Sequence, residues 1–269
     1  MFYEGTEKRL YICTKSLNLF DLTPQFWQEL VAYSGAEILS SMHNTKVQAY
    51  LLSESSLFVW QDKILLITCG NTQLIKAALF IQQRFSKQQI STLIFQRHQA
   101  LKPLLQDSSF EQDTLLLAEQ FHGQQQHWNE DYKGDLFIFG EISSRTFKTQ
   151  SIYMLHGLQG DFSARLQRQT FDKQTILKEL KLTCFFKNLL IDHYSFHPKG
   201  YSLNAICGDD YLTIHLTPEQ QSTYLSVETS FLAEECDIFI EHLVHLFSPS
   251  KVKKMHFKPQ QQQLNITIF

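Results

Sequence analysis

The sequence predicts an α+β protein in which two antiparallel-rich sheets pack face to face with helices outside. Three observations carry this prediction. β-rich runs come in groups with helical stretches between them, without the strict strand–helix alternation of a parallel sheet. A strand–turn–strand unit from Ser55 to Cys69 has a counterpart from Ser202 to His215, and each then meets a helix, which suggests an internal duplication and two sheets of related topology. Finally, 43% of the 269 residues are hydrophobic, with 22 Phe and 10 Tyr among the aromatic ones, enough to bury a large core and to exclude a disordered chain or a charged coiled coil. The chain reads as a single domain, residues 1–269.

The elements follow from local signals. Thr23 as N-cap, Pro24 at the first helical position, apolar Phe26, Trp27, Leu30 and Val31, and a stop at Gly35 predict a helix over 24–34. Leu74, Ile75, Ala78, Leu79, Ile81 and Phe85 keep helical spacing and predict a second over 72–87. Further helices are expected at 109–122, 172–190 and 231–247. Strands are expected at 36–42, 47–53, 57–60, 63–69, 91–96, 135–142, 151–156, 203–207, 211–217, 223–229, 251–257 and 263–268. The glutamine tracts 124–126 and 260–263 read as loops.

Charge and composition narrow the function. With 24 basic against 27 acidic residues the net charge is −3, so the electrostatic excess that nucleic-acid binding draws on is missing. No apolar run reaches the ~18 residues of a membrane span, and the acidic start lacks the apolar centre of a signal peptide. Five widely spaced cysteines without a CxxC pair indicate neither a disulfide framework nor a zinc site, and a cytoplasmic location is expected. The pairs His193/His197 and His242/His245 lack a third ligand, so no metal is expected. The run Lys251-Val252-Lys253-Lys254 reads as an edge strand guarded by lysine. The common nucleotide-binding, zinc-protease and serine-hydrolase signatures are absent from the sequence.

Three blocks stand out. They are residues 2–8 (Phe-Tyr-Glu-Gly-Thr-Glu-Lys), residues 48–59 followed by Thr68-Cys69-Gly70, and residues 200–204 (Gly-Tyr-Ser-Leu-Asn) with 211–219 (Tyr-Leu-Thr-Ile-His-Leu-Thr-Pro-Glu). In order, spacing and identity they resemble the eukaryotic S-adenosylmethionine decarboxylase family, and Arg97 with Lys102-Pro103 and residues 224–229 add weaker matches. The resemblance covers most of the chain and thins between about 124 and 190. It implies a four-layer αββα sandwich and a proenzyme that cuts itself between Glu54 and Ser55, giving small (1–54) and large (55–269) chains and turning Ser55 into a pyruvoyl group.

Chemistry makes those demands intelligible. Cleavage without water as first nucleophile needs a hydroxyl held against the preceding carbonyl, which a serine at a tight β-turn supplies. Elimination then needs a base; the resemblance assigns this to His215, with Ser202 beside it assisting the ester. Decarboxylating an amino acid needs an electron sink, and the pyruvoyl carbonyl, through a Schiff base with the substrate amine, would serve without pyridoxal phosphate or metal. The resemblance makes Cys69 the proton donor to the α-carbon, a role that suits a thiol whose ordinary pKa near ~8.5 keeps it mostly protonated at neutral pH. Phe196 and Tyr3 match aromatic positions that stack on adenine, Glu219 matches the ribose-binding acid, Leu52 and Glu54 match backbone contacts to the adenine edge, and Glu4 and Glu7 match acids lining the site.

Some members bind putrescine through buried acids. Glu228 matches one of these, but Tyr11 stands where another acid is expected, so putrescine activation is not expected, and Arg97 is expected to place a fixed positive charge nearby. A homodimer is permitted. Two alternatives stay open: a decarboxylase of the same fold acting on ornithine or arginine, against which Phe196 and Glu219 argue, and a non-catalytic regulatory homologue, against which the set Ser55, Cys69, Ser202 and His215 argues.

Overall fold

The computed structural model describes the chain except for residues 1–6, 54, 99–103, 105, 129–132, 169–170, 198–199, 220–221 and 261–262, and describes only the backbone of Pro218, Glu219 and Ser222. The described strands are β1 Lys8–Thr14, β2 Ile38–His43, β3 Gln48–Leu52, β4 Ser55–Val59, β5 Lys63–Thr68, β6 Ile90–His98, β7 Gln124–Trp128, β8 Gly134–Gly140, β9 Gln150–Leu158, β10 Leu190–Ser195, β11 Tyr201–Cys207, β12 Asp210–Glu219, β13 Ser222–Thr229, β14 Pro249–Gln260 and β15 Gln263–Ile268. The helices are α1 Pro24–Tyr33, α2 Leu74–Arg84, α3 Phe110–Gln120, α4 Asp161–Arg168, α5 Lys173–Leu180, α6 Leu182–Phe185 and α7 Ala233–Phe247.

The strands form two antiparallel sheets, ordered β2-β3-β4-β5-β1-β6-β8-β7 and β10-β11-β12-β13-β9-β14-β15. In each half the first strand enters between the fourth strand after it and the strand that follows the long helix, so the two halves share one topology and the expected duplication is visible. The units aligned in the sequence are nevertheless one strand out of step. Ser55–Cys69 spans β4 and β5, whereas Ser202–His215 spans β11 and β12, which correspond to β3 and β4.

Strand periodicity of two sorts the side chains into layers. Leu10, Ile12, Leu57, Leu66 and Phe95 point outward and pack under Trp27 and Leu30 of α1, Ala77, Ala78 and Phe80 of α2 and Phe110 and Leu117 of α3. On the second sheet Leu203, Leu212, Ile214 and Leu225 pack under Phe162 of α4, Ile176 and Leu180 of α5 and Phe239 and Leu243 of α7. The alternate residues, among them Phe58, Leu65, Ile67, Met154, Tyr211 and Phe257, fill the space between the sheets. The result is the four-layer αββα sandwich. Each fully buried aliphatic or aromatic side chain contributes about 1.5–3 kcal/mol, so these three cores dominate the stability.

Helix ends follow their caps: Thr23 accepts from the Phe26 amide, and Ser109 with Gln112 forms a capping box on α3. Several expectations are corrected. The helix expected over 172–190 breaks at Lys181, which adopts φ +50°, and its last residue begins β10, because Leu190 and Ile191 pair with β11 rather than continue a helical stripe. Gln124–Gln126 are not a loop but lie in β7, an edge strand on which exposed glutamines are tolerated. β15 joins β14 only from Lys254 onward, so Lys251, Val252 and Lys253 pair with β9 alone and form a local sheet edge as expected, with Lys253 turned inward and buried. His193 and His242 are taken up by the Tyr201 hydroxyl and the Glu179 carbonyl, respectively.

Candidate active site

Strand pairing brings distant residues to one end of the inter-sheet space. Ser55 opens β4 opposite Leu52 of β3 and Thr68 of β5, at the mouth of a hairpin turn. Its φ is +140°, a region that non-glycine residues avoid at a cost of about 1–3 kcal/mol. The side chain is buried, and its Oγ lies 3.0 Å from Nε2 of His215 on β12 of the other sheet. In the antiparallel β11–β12 pair Ser202 is directly opposite His215, and the Ser202 Oγ meets the other ring nitrogen, Nδ1, at 2.9 Å. Burial is the main reason that the imidazole is held down to about 4, so it is neutral at physiological pH.

Cys69 follows the last residue of β5, one position past the partner of Ser55, and is buried. Its turn is tied down by Lys8. The ammonium donates to the carbonyls of Gly70 and Thr72 at 3.0 and 2.5 Å, while the Thr72 hydroxyl reaches the Cys69 carbonyl at 3.0 Å. Burial, helped by the nearby Arg97, lowers Lys8 to about 8. Gly70 takes φ +61°, the left-handed conformation in which glycine turns most cheaply.

Next to this site lies a buried ion cluster. Arg9, pointing between the sheets, donates to Glu7 and Glu228, and its Nη1 lies 2.9 Å from His98 Nε2. Tyr224 donates to Glu7 at 2.7 Å and Tyr211 to Glu228 at 2.8 Å. Burial opposes ionisation of Glu7, but Arg9, a hydrogen bond from Ser226, His98 and Tyr224 together overcome it and hold the carboxyl at about 2. For Glu228 burial prevails over Arg9 and the carboxyl is raised. Ser226 stands opposite His215 in the β12–β13 pair, so the Glu7 carboxylate is one strand away from the imidazole.

The predicted residues are therefore partly assembled. Ser55, Ser202 and His215 meet directly, with Cys69 on the adjoining turn and Glu7 behind Ser226. Leu52 points into the outer core, which leaves its backbone facing the turn. Phe196 follows β10, its amide bonded to the Gly200 carbonyl at 2.9 Å and its ring 5.0 Å from that of Tyr194. Glu219 ends β12. Tyr3, Glu4 and Glu54 lie outside the described residues. Arg97 is corrected: it points outward under α3, pairs with Asp113 at 2.7 Å and meets Ser108, because its position on β6 has the parity of Phe95. Arg9, by contrast, brings a guanidinium between the sheets.

Sequence reading missed Lys8, Arg9, His98, Ser56, Asn204 and Thr213. The last two were visible as polar residues alternating with apolar ones in 201–207 and 211–217, on the same face as Ser202 and His215.

The sequence model of a family described as adenosylmethionine decarboxylase matches residues 1–268. The S-adenosylmethionine decarboxylase proenzyme of Trypanosoma cruzi is 30% identical over 95% of this chain and 75% of its own length. That of Dictyostelium discoideum is 26% identical over 92% of this chain and 68% of its own. The solved structure of the Trypanosoma brucei AdoMetDC-delta26 monomer superposes with a TM-score of 0.58 at 23% identity, covering 75% of this chain and 79% of that one, a likeness of fold.

Proposed function

From the premise that the chain belongs to the adenosylmethionine decarboxylase family, we propose that it is a proenzyme that cuts itself before Ser55 and then decarboxylates S-adenosylmethionine to the aminopropyl donor of spermidine and spermine synthesis. One observation carries this reading: a serine in a strained conformation at a hairpin mouth, its hydroxyl 3.0 Å from a buried neutral histidine of the opposite sheet.

The Ser55 Oγ attacks the carbonyl of the preceding residue; the C–N bond breaks as the ester forms, and the unfavourable φ of Ser55 is relieved when that peptide link is gone. His215 removes the α-proton of the esterified residue, the Cα–Cβ double bond forms and the small chain leaves as its carboxylate. Water then hydrolyses the resulting enamine, releasing ammonia and leaving a ketone. The residues fit such a group: Ser55 ends up between the sheets, buried, facing His215 and flanked by the Cys69 turn. When formed, the pyruvoyl group would supply a sink for the electron pair left on the substrate's α-carbon as carbon dioxide departs. Cys69, held on its turn by Lys8, delivers the proton to the α-carbon, and Ser202 keeps the imidazole oriented. Glu7, ionised and paired with Arg9, lies behind the site without a free charge of its own.

Putrescine is not required in this reading, because Arg9 already brings a guanidinium to Glu228 and Glu7. Release of labelled carbon dioxide from S-adenosylmethionine, with and without putrescine, alongside denaturing mass spectrometry, tests the whole proposal. Fragments meeting at residues 54 and 55 with diamine-independent turnover are expected; a single uncut chain with turnover, or release from ornithine or arginine instead, refutes it.

A further inference from the structure

A chain of hydrogen bonds crosses the site, and its direction is fixed at one end. Asn204 Nδ2 donates to the Tyr50 carbonyl at 3.1 Å, so turning the amide over would set two carbonyl oxygens against each other. Asn204 Oδ1 therefore faces Ser56 and receives that hydroxyl proton at 2.6 Å. Ser56 has no second proton to give, so its 3.0 Å contact with Thr213 Oγ1 is a donation from Thr213. With the Thr213 proton committed, the 2.9 Å contact between Thr213 Oγ1 and His215 Nε2 is a hydrogen bond only if Nε2 carries a hydrogen. A neutral imidazole has a single N–H; Nδ1 is then bare and accepts from the Ser202 hydroxyl at 2.9 Å. Burial, which keeps the ring neutral, leaves it in this one tautomer at physiological pH.

We infer that Asn204, acting through Ser56 and Thr213, is a positioning residue that sets the His215 tautomer, so that in the uncut chain Nε2–H is directed to the Thr213 and Ser55 oxygens, 2.9 and 3.0 Å away, while the basic lone pair on Nδ1 faces Ser202. His215 thus holds the Ser55 oxygen as a donor. The acceptor role at Nε2 that elimination requires belongs to the opposite tautomer, in which Thr213 would turn its proton to the ring and the Ser56–Thr213 bond would be lost. Nucleophilic attack by Ser55 and proton removal by His215 are therefore separated by a reversal of this chain. That consequence rests on the proenzyme reading; the tautomer itself does not.

The test is long-range proton–nitrogen NMR on the full chain labelled with nitrogen-15 histidine, carrying Ser55→Ala to keep it intact, with His215 assigned by the signal lost in His215→Gln. Ser55 takes no part in the deduction, so its removal leaves the expected answer unchanged: Nε2 protonated and Nδ1 bare. Adding Ser56→Ala frees Thr213 to donate to the ring and should move the tautomer ratio toward Nδ1–H by about fivefold, the weight of one ordinary hydrogen bond. Thr213→Ser should retain the parent tautomer. A ring protonated at Nδ1, or a ratio unmoved by Ser56→Ala, overturns the inference. Cleavage of the parent chain is scored separately: an uncut parent sinks the proenzyme reading while the tautomer result stands, and a cut parent with the wrong tautomer does the reverse.

Discussion

His215 Nε2 and Ser55 Oγ lie 3.0 Å apart although the residues are 160 positions apart and belong to different sheets. Ser55 on β4 and His215 on β12 meet where the two sheets stack, so the site is built by the inter-sheet packing itself. Substitutions there separate chemistry from folding.

Ser55→Ala removes the hydroxyl proposed to attack the preceding carbonyl, and the full-length chain should persist with no detectable decarboxylation. Cys69→Ala should behave differently, since Lys8 and Thr72 hold its turn through backbone carbonyls. Cleavage should survive while turnover falls about 10²–10⁴-fold, the usual contribution of a positioned acid. Electrophoresis paired with carbon dioxide release reads both; a Cys69→Ala chain with parental turnover would remove the thiol from the mechanism.

His215→Ala should stop the chain at the ester, because attack by the Ser55 hydroxyl does not draw on the imidazole lone pair while removal of the α-proton does. Hydroxylamine, which cleaves esters and spares amides, should then split this variant into two fragments at residue 55. A variant that processes fully without the reagent would take the base function away from His215.

Arg9→Leu should cost about 3–5 kcal/mol, because it strands two buried carboxylates, Glu7 and Glu228, that now share one guanidinium. Arg9→Lys should fall between, keeping the charge but losing the fork that reaches Glu7, Glu228 and His98 together. Urea unfolding at neutral pH measures both, and Glu228→Gln added to Arg9→Leu should recover part of the loss. A leucine variant as stable as the parent would mean that the cluster is solvated.

What the sequence disclosed depends on which signal each element carries. α1 announces itself by a cap that acts locally, Thr23 with Pro24, and the bounds of α1 and α3 were read within two residues. β1 was missed although it lies between β5 and β6: Lys8 and Arg9 look like solvated charge, and only tertiary pairing shows that one is bonded to backbone carbonyls and the other to acids between the sheets. Ser55, Cys69, Ser202 and His215 were found through their block patterns, whereas Ser56, Asn204 and Thr213 matter by which hydroxyl gives its proton to which neighbour, a property of the assembled site alone.

Acid should unfold the protein from the histidines first. His98 is held down to about 3, chiefly by burial and then by Arg9, and its Nε2 takes contacts from both Arg9 and Gln96, so the ring is packed as a neutral acceptor. His215 is held down to about 4. Both have ordinary values of 6.5, so between those limits the unfolded chain binds protons that the folded chain refuses, and stability falls as pH falls. Glu7, lowered from 4.5 to about 2, adds its own loss only below the first of these values. The urea midpoint should therefore decline from pH 6.5 to 4.5; His156, His193 and His256, also lowered by burial, add to the decline, and the raised Glu228 opposes it. His98→Gln, which keeps a side-chain acceptor for Arg9 but cannot be protonated, should make that decline shallower. A variant with the parental slope would exclude His98 from the groups that set it.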